Sequence, residues 1–283
     1  MVSLGMTGVF SNNQGKRKTM VNIAVRSASY AISAYFLTLF GEKLIIAACA
    51  LLQGYSVVLS YYTVKVTAGA AGWTQDSVLL LYVIPFLLEI FLFIWLYITF
   101  IKSENNSNYS KFRLWLMFFL IFRVAGMLPA HLLAKTGIDY VLTWLFAGVL
   151  FKIIIGVTGG IVFILGGNKL LVEILAISGV RNTFTRDAGI SVYFSSIVFL
   201  PVTLVAISAA LFFIPKFPFE ELYGLILLMV LLVYFLISIS RRTLGLFLYK
   251  EDMRGNENIK FLLITSVLSA LLLRILFGFE IQL

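Results

Sequence analysis

Four charged side chains lie near the middle of long apolar stretches of this sequence, where charge is costly to bury. Each lies at or within a few residues of the middle of its stretch: Glu89 in 77–101, Arg123 in 112–133, Lys152 in 140–166 and Arg274 in 260–279. A charged side chain at the centre of a membrane helix costs about 2.5–3.5 kcal/mol on insertion scales. Such residues therefore face the protein interior or a water-filled cavity, and they mark binding sites and ion pathways.

The shared depth of the first three residues predicts that they meet. At 1.5 Å of rise per residue, Glu89, Arg123 and Lys152 reach nearly the same plane of three consecutive helices. One carboxylate cannot balance these two bases and Arg274, and the surplus of positive charge favours an anionic ligand such as a phosphate or a lipid head group. The alternative is structural: Glu89 neutralises Arg123, Lys152 bonds to backbone carbonyls, and the charges only fix the helix packing.

Two smaller features lie near these charges. His131 is the single histidine, and it is either a titratable member of a proton relay with Glu89 or a polar residue at the helix boundary. Gly156 and Gly160 form a GxxxG pair with Gly159 adjacent, which predicts that another helix approaches 140–166 closely.

Sequence motifs for catalysis are absent. The chain contains no HExxH, GxSxG or Walker A motif, and it has one cysteine and one histidine. We therefore predict no cofactor, no metal site and no catalytic residue. An enzyme that uses a membrane-embedded carboxylate ranks third among the functional hypotheses.

The composition indicates which solvent surrounds these residues. Hydrophobic residues make up 61% of the chain and charged residues 12%, with a mean hydropathy of +1.01. Soluble domains average about 45–50% apolar and about 25% charged residues. The bilayer must therefore solvate most of the chain, and the net charge of +9 is explained by basic cytoplasmic loops, without a nucleic-acid partner.

Apolar stretches long enough to cross a bilayer predict an all-α polytopic membrane bundle. About seven spans are expected: 44–64, 77–101, 112–133, 140–166, 189–214, 219–240 and 260–279. The stretch 21–43 is expected to be an N-terminal interfacial or re-entrant helix, because basic and non-basic loops then alternate without a break. This pattern predicts one domain, 1–283, with a cytoplasmic N-terminal tail, 1–20, and the C-terminus on the opposite side.

The segment 167–188 has two interpretations. It is either a cytoplasmic surface segment that carries a short interfacial helix and recruits a protein partner, or an extension of the preceding helix past Gly166 and Gly167. The leading functional hypothesis is a multi-pass membrane transporter or permease-like subunit that handles a small or lipid-borne anionic solute in a midplane cavity. The alternative is a non-catalytic scaffold or trafficking protein whose intramembrane charges only lock helix packing.

Overall fold

A computed structural model describes residues 6–67, 72–102, 108–177 and 195–241, together with isolated positions between 264 and 282. Helices dominate the described residues. The amino-terminal half contains helix α1 (Met6–Leu52), strands β1 (Ser56–Leu59) and β2 (Val64–Thr67), and helices α2 (Gln75–Lys102), α3 (Asn108–Ile121) and α4 (Met127–Ala134). The carboxyl-terminal half contains helices α5 (Ile138–Trp144), α6 (Val149–Ile177), α7 (Leu200–Phe213) and α8 (Phe219–Arg241), and strand β3 (Ile281–Gln282). A π-helical turn, Phe122–Gly126, joins α3 to α4. A second one, Ser195–Phe199, directly precedes α7.

Six helical segments of the described chain are long and apolar enough to cross a membrane, as a multi-pass membrane protein requires. They are Val21–Leu52, Gln75–Ile101, Ser110–Ala134, Val149–Leu175, Ser196–Phe213 and Phe219–Ile237. Large apolar side chains are exposed along α2, α6 and α8, as expected for surfaces that face acyl chains. The expected span 260–279 lies outside the described residues except at isolated positions.

The first helix differs from its sequence prediction. The expected boundary after residue 43 and the separate span 44–64 are both absent, because α1 continues through Gly41, Glu42 and Lys43 to Leu52. The two charged residues find partners on other elements, so they do not end the helix. The stretch 21–52 is itself long and apolar enough to cross the bilayer, which an interfacial helix would not need to be.

A small β-sheet follows α1, and the sequence analysis did not predict it. The chain turns at Gly54, whose φ of +77° is a conformation that glycine adopts without strain. β1 then pairs with β2 in antiparallel register, with Ser56 opposite Thr67, and β3 adds to the other edge of β1. Both β1 and β2 are rich in valine, a β-branched residue that favours strands, which explains why the end of the expected span 44–64 is extended.

The expected span 140–166 is broken near its beginning. α5 ends at Trp144, Phe146 adopts a positive φ of +54°, and α6 starts at Val149. Lys152 consequently lies in the first turn of α6 instead of at the centre of a span.

Helix α6 also decides between the two interpretations of 167–188. It continues past Gly166 and Gly167 to Ile177, so the helix-extension interpretation is correct for 167–177. Its apolar residues there are buried in the bundle: Leu170, Leu171, Ile174, Leu175 and Ile177. Residues 178–188 lie outside the described part of the chain.

The core lies where α1 packs against α3 and α7, and where α6 packs against α3 and α4. Aromatic rings fill this core. Tyr35 contacts Phe119 edge-on, and Trp115 is stacked on Phe119. The indole of Trp115 donates a hydrogen bond to Ser27 Oγ, which in turn donates to the carbonyl of Ile197. This packing holds α1 beside α3, and Glu42 of α1 lies against Arg123 of the π-helical turn.

Candidate functional site

The π-helical turn Phe122–Gly126 places a buried arginine at the centre of the bundle. π-Turns inside α-helices are rare and frequently occur at functional sites. Arg123 is 4% exposed, and its Nη1 lies 2.6 Å from Glu221 Oε1 and 3.6 Å from Glu42 Oε2. Its guanidinium also lies 5.4 Å from the ring centre of Tyr35, within the range of a cation–π contact. The positive charge is thus held by α1 and α8 together.

Glu221 is the main candidate residue that the sequence analysis missed, although it lies at the start of the expected span 219–240. In the structure Glu221 lies in the first turn of α8, where the helix dipole favours a carboxylate, and it is 4% exposed. Its Oε1 accepts a hydrogen bond from Arg123, and its Oε2 accepts one from the Tyr35 hydroxyl at 3.1 Å. Acidic residues directly before the apolar run that starts at Leu222 indicate the start of a helix. No pattern in the sequence indicates that Arg123 is the partner of Glu221.

Glu89 lies near the middle of α2 and borders a small cavity. It is 7% exposed, and its Oε1 has no hydrogen-bond partner. The cavity has a volume of about 30 Å³, and its polar lining consists of Glu42, Glu89, Arg123 and His131. A water molecule needs about 10–15 Å³ measured in this way, so the cavity has room for about two waters.

Arg123 contributes unsatisfied donors beside the same cavity. Its Nε and Nη2 have no hydrogen-bond partner, while its Nη1 is bound to Glu221. Buried polar atoms without partners are rare and often indicate an unseen water or ion. Apolar and aromatic side chains close the rest of the wall: Ile46, Tyr82, Pro85, Phe86, Leu128 and Ile138.

His131 lies at one edge of this cavity and is half-buried. Its Nδ1 is 3.1 Å from Thr136 Oγ1. The tautomer of the ring decides whether Nδ1 donates this hydrogen bond or accepts it from the hydroxyl. Gly137, with a φ of +53°, passes directly beside the ring and also borders the cavity. The histidine that the sequence suggested as a proton relay thus shares a cavity with Glu89.

Lys152 and Arg274, by contrast, do not line the cavity. Lys152 Nζ lies 2.6 Å from Asp139 Oδ1 and 2.7 Å from Thr143 Oγ1, so it joins α6 to α5. Arg274 donates to the carbonyls of Leu211 and Ile214 at 2.6 and 2.5 Å, and thereby caps the end of α7. The structure therefore brings together two of the four predicted residues, Glu89 and Arg123, because the break before α6 moves Lys152 away from their depth.

The cavity is lined by more carboxylates than basic side chains, whereas the sequence predicted a surplus of basic side chains. Two carboxylates, Glu42 and Glu89, line it with a single guanidinium, which also pairs with Glu221. The surplus of basic residues on which the sequence analysis based an anionic ligand is not found there.

Lys43, one residue after Glu42, was also missed as part of this region. Its Nζ donates to the Tyr61 carbonyl at 3.0 Å and lies 5.5 Å from the ring centre of Phe213. It connects α1 to the β1–β2 connection and to the end of α7, outside the cavity lining.

Comparisons with known proteins do not add to this geometry. No family model matches the chain, and no curated protein or solved structure matches it. Within the described ranges, no three His, Cys, Asp or Glu side chains come together as a metal site would need. The chemistry must be inferred from the cavity itself.

Proposed function

We propose that this chain is a multi-pass membrane transporter, or the permease-like subunit of a larger assembly, and that its cavity handles a proton or a small monovalent cation. The observation that carries the proposal is the carboxylate oxygen of Glu89, which is buried beside the cavity without a hydrogen-bond partner. The proposed topology keeps seven spans and a cytoplasmic N-terminus, on the basis of the distribution of basic segments.

Size supports a small ligand. A cavity of about 30 Å³ is far smaller than the cavities of about 150 Å³ that admit a molecule such as benzene. The small volume favours a ligand of the size of a proton, a monovalent cation or one or two waters over a lipid head group or an organic anion.

Charge supports a positive ligand. Glu42 is 3.6 Å from Arg123, and Glu89 has one oxygen without any donor. A buried carboxylate is stable only when it is hydrogen-bonded, paired or protonated. A cation or a proton at Glu89 would meet that requirement, and an anion would add to the cost. The anionic solute expected from the sequence is therefore replaced in the proposal by a cationic one.

The proposal is tested by cation uptake into liposomes that contain the purified protein, driven by a membrane potential and followed with a pH-sensitive and a sodium-sensitive dye. We expect uptake by the wild type, at least tenfold less uptake by Glu89→Gln, and unchanged uptake by Asp76→Asn. Asp76 is a matched control because it lies on the same helix but is exposed. Wild-type uptake equal to that of empty liposomes, or full uptake by Glu89→Gln, contradicts the proposal.

The second candidate is the scaffold, and the buried Arg123–Glu221 pair favours it. A buried ion pair between helices that are distant in sequence is what helix locking requires, and it needs no solute. In that case the segment 167–188 would recruit the partner through 178–188 alone, because 167–177 belongs to α6. The scaffold hypothesis expects no uptake by any variant.

A further inference from the structure

We infer that the ligand of the cavity is the proton, carried on the Glu89 carboxylate, and that Arg123 is the residue that excludes metal cations. This inference rests on the proposed function and names the ligand of the same site. Protonation joins one proton to one carboxylate oxygen, and release returns it, so the step needs no other reactant.

The number of available oxygens favours a proton. Hard metal cations bind several oxygens at once: Ca²⁺ takes six to eight in a flexible arrangement, and Mg²⁺ takes six in a near-octahedral one. The cavity lining supplies only two carboxylates, on α1 and α2, and one of them lies close to a guanidinium. A proton needs one oxygen, and Glu89 Oε1 is the carboxylate oxygen that lacks a partner.

The position of Arg123 opposes the binding of a metal ion. Arg123 lines the same cavity of about 30 Å³, so a metal ion bound there would share that space with a positively charged residue. Repulsion between like charges is strong where water does not screen it. A proton escapes much of this repulsion, because it bonds to the carboxylate and leaves a neutral acid.

Glu221 keeps Arg123 in place. Its two oxygens bind Arg123 and Tyr35, and its backbone belongs to the first turn of α8. The guanidinium therefore cannot turn away from the cavity without breaking a buried ion pair. This makes Glu221 the positioning residue for the selectivity that Arg123 provides.

The charged and titratable groups around Glu89 come from every element that lines the cavity. α1 contributes Glu42, the π-helical turn contributes Arg123, and α4 contributes His131. On α2 itself, Tyr82 lines the cavity and its ring contacts the ring of Tyr140 from α5 at 5.7 Å. Asp139 of α5 is engaged with Lys152. His131 is half-buried and lines the same cavity as Glu89, so it is the group through which protons would reach Glu89.

The experiment compares proton uptake with sodium and lithium uptake in the same liposomes. For the wild type we expect proton uptake that neither Na⁺ nor Li⁺ inhibits, and no uptake of either metal. Sodium uptake, or inhibition of proton uptake by Na⁺, overturns the inference but leaves the proposed function standing. No uptake of any cation overturns both.

The role of Arg123 is tested with the double variant Arg123→Gln/Glu221→Gln, which removes the charge pair without changing the net charge. We expect this variant to take up Na⁺ or Li⁺ at least tenfold faster than the wild type. Lys152→Gln/Asp139→Asn is the matched control, since it removes an ion pair outside the cavity, and it should keep proton selectivity. Proton selectivity retained in the first double variant overturns the role of Arg123. If that variant does not fold, Arg123→Lys, which retains the charge, must show wild-type exclusion of both metals, and loss of exclusion overturns the role.

Discussion

Arg123 Nη1 and Glu221 Oε1 lie 2.6 Å apart, although 98 positions separate the two residues in the sequence. The contact joins the π-helical turn to the first turn of α8, and both side chains are almost fully buried. Each residue is costly to bury by itself and acceptable in the presence of the other. Arg123 also lines the polar cavity beside Glu89, so the pair fixes one wall of that cavity to α8.

The first prediction concerns this pair. Glu221→Gln should lower the free energy of unfolding in detergent micelles by about 3–5 kcal/mol, because it leaves a buried guanidinium without its main counter-charge. The double variant Arg123→Gln/Glu221→Gln should lose less than the sum of the two single variants, which a double-mutant cycle measures. Glu220→Gln is the matched control and should change stability by less than about 1 kcal/mol, since Glu220 does not pair with Arg123. Additive effects in the cycle would show that the two residues do not interact.

The second prediction separates stability from function at Glu89. Glu89→Leu should leave the melting temperature in detergent unchanged or raise it, because an apolar side chain replaces a buried carboxylate oxygen that has no partner. Cation uptake should be lost in the same variant. A large fall in the melting temperature would mean that Glu89 stabilises the bundle, as the scaffold hypothesis requires.

The third prediction distinguishes two adjacent glycines of α6. A Cβ at Gly159 would lie 2.8 Å from the Ala125 carbonyl oxygen and 2.9 Å from Leu128 Cβ, whereas a Cβ at Gly160 would lie 3.7 Å from Pro129 Cγ. Gly159→Ala should therefore cost about 1–3 kcal/mol, because α6 has to move away from the π-helical turn. Gly160→Ala should be neutral or stabilising by up to about 1 kcal/mol, because alanine favours helix. Thermal unfolding of the two variants side by side is the measurement, and equal losses would refute the close packing at Gly159.

The fourth prediction concerns the turn that holds His131. Gly137→Ala places a Cβ about 2.8 Å from His131 Nδ1, and Gly54→Ala places one in open space. Both positions have a positive φ, so both variants should lose about 1–2 kcal/mol of stability. Only Gly137→Ala should also slow proton uptake, because it displaces the histidine ring from Thr136. Equal uptake by the two variants would remove His131 from the proposed path.

The fifth prediction concerns Lys152, which the sequence placed at the centre of the site. Its side chain is 21% exposed, and its partner Asp139 is 10% exposed. Lys152→Gln should cost about 1 kcal/mol, as expected for a partly solvated ion pair, and should leave cation uptake unchanged. Loss of uptake without loss of stability would return Lys152 to the functional site.

The sequence alone determined the class of the protein and two residues of its candidate site. Run length and hydropathy are local properties, and they were sufficient to predict apolar helices that can cross a membrane. The positions of Glu89 and Arg123 along their helices also follow from the local sequence, because the ends of both helical segments are close to the predicted ends. For that reason the sequence predicted that these two side chains lie at a similar depth, and both line the same cavity in the structure.

Only the tertiary structure decided where helices continue, where they break and which charges pair. Glu42 and Lys43 resemble a loop in the sequence, but their partners on other elements allow α1 to pass through them. The positive φ at Phe146 and the contacts of Lys152 with Asp139 and Thr143 interrupt a stretch that hydropathy cannot distinguish from one span. Glu221 pairs with Arg123 through contacts between helices that are distant in sequence, and hydropathy and spacing carry no information about such contacts.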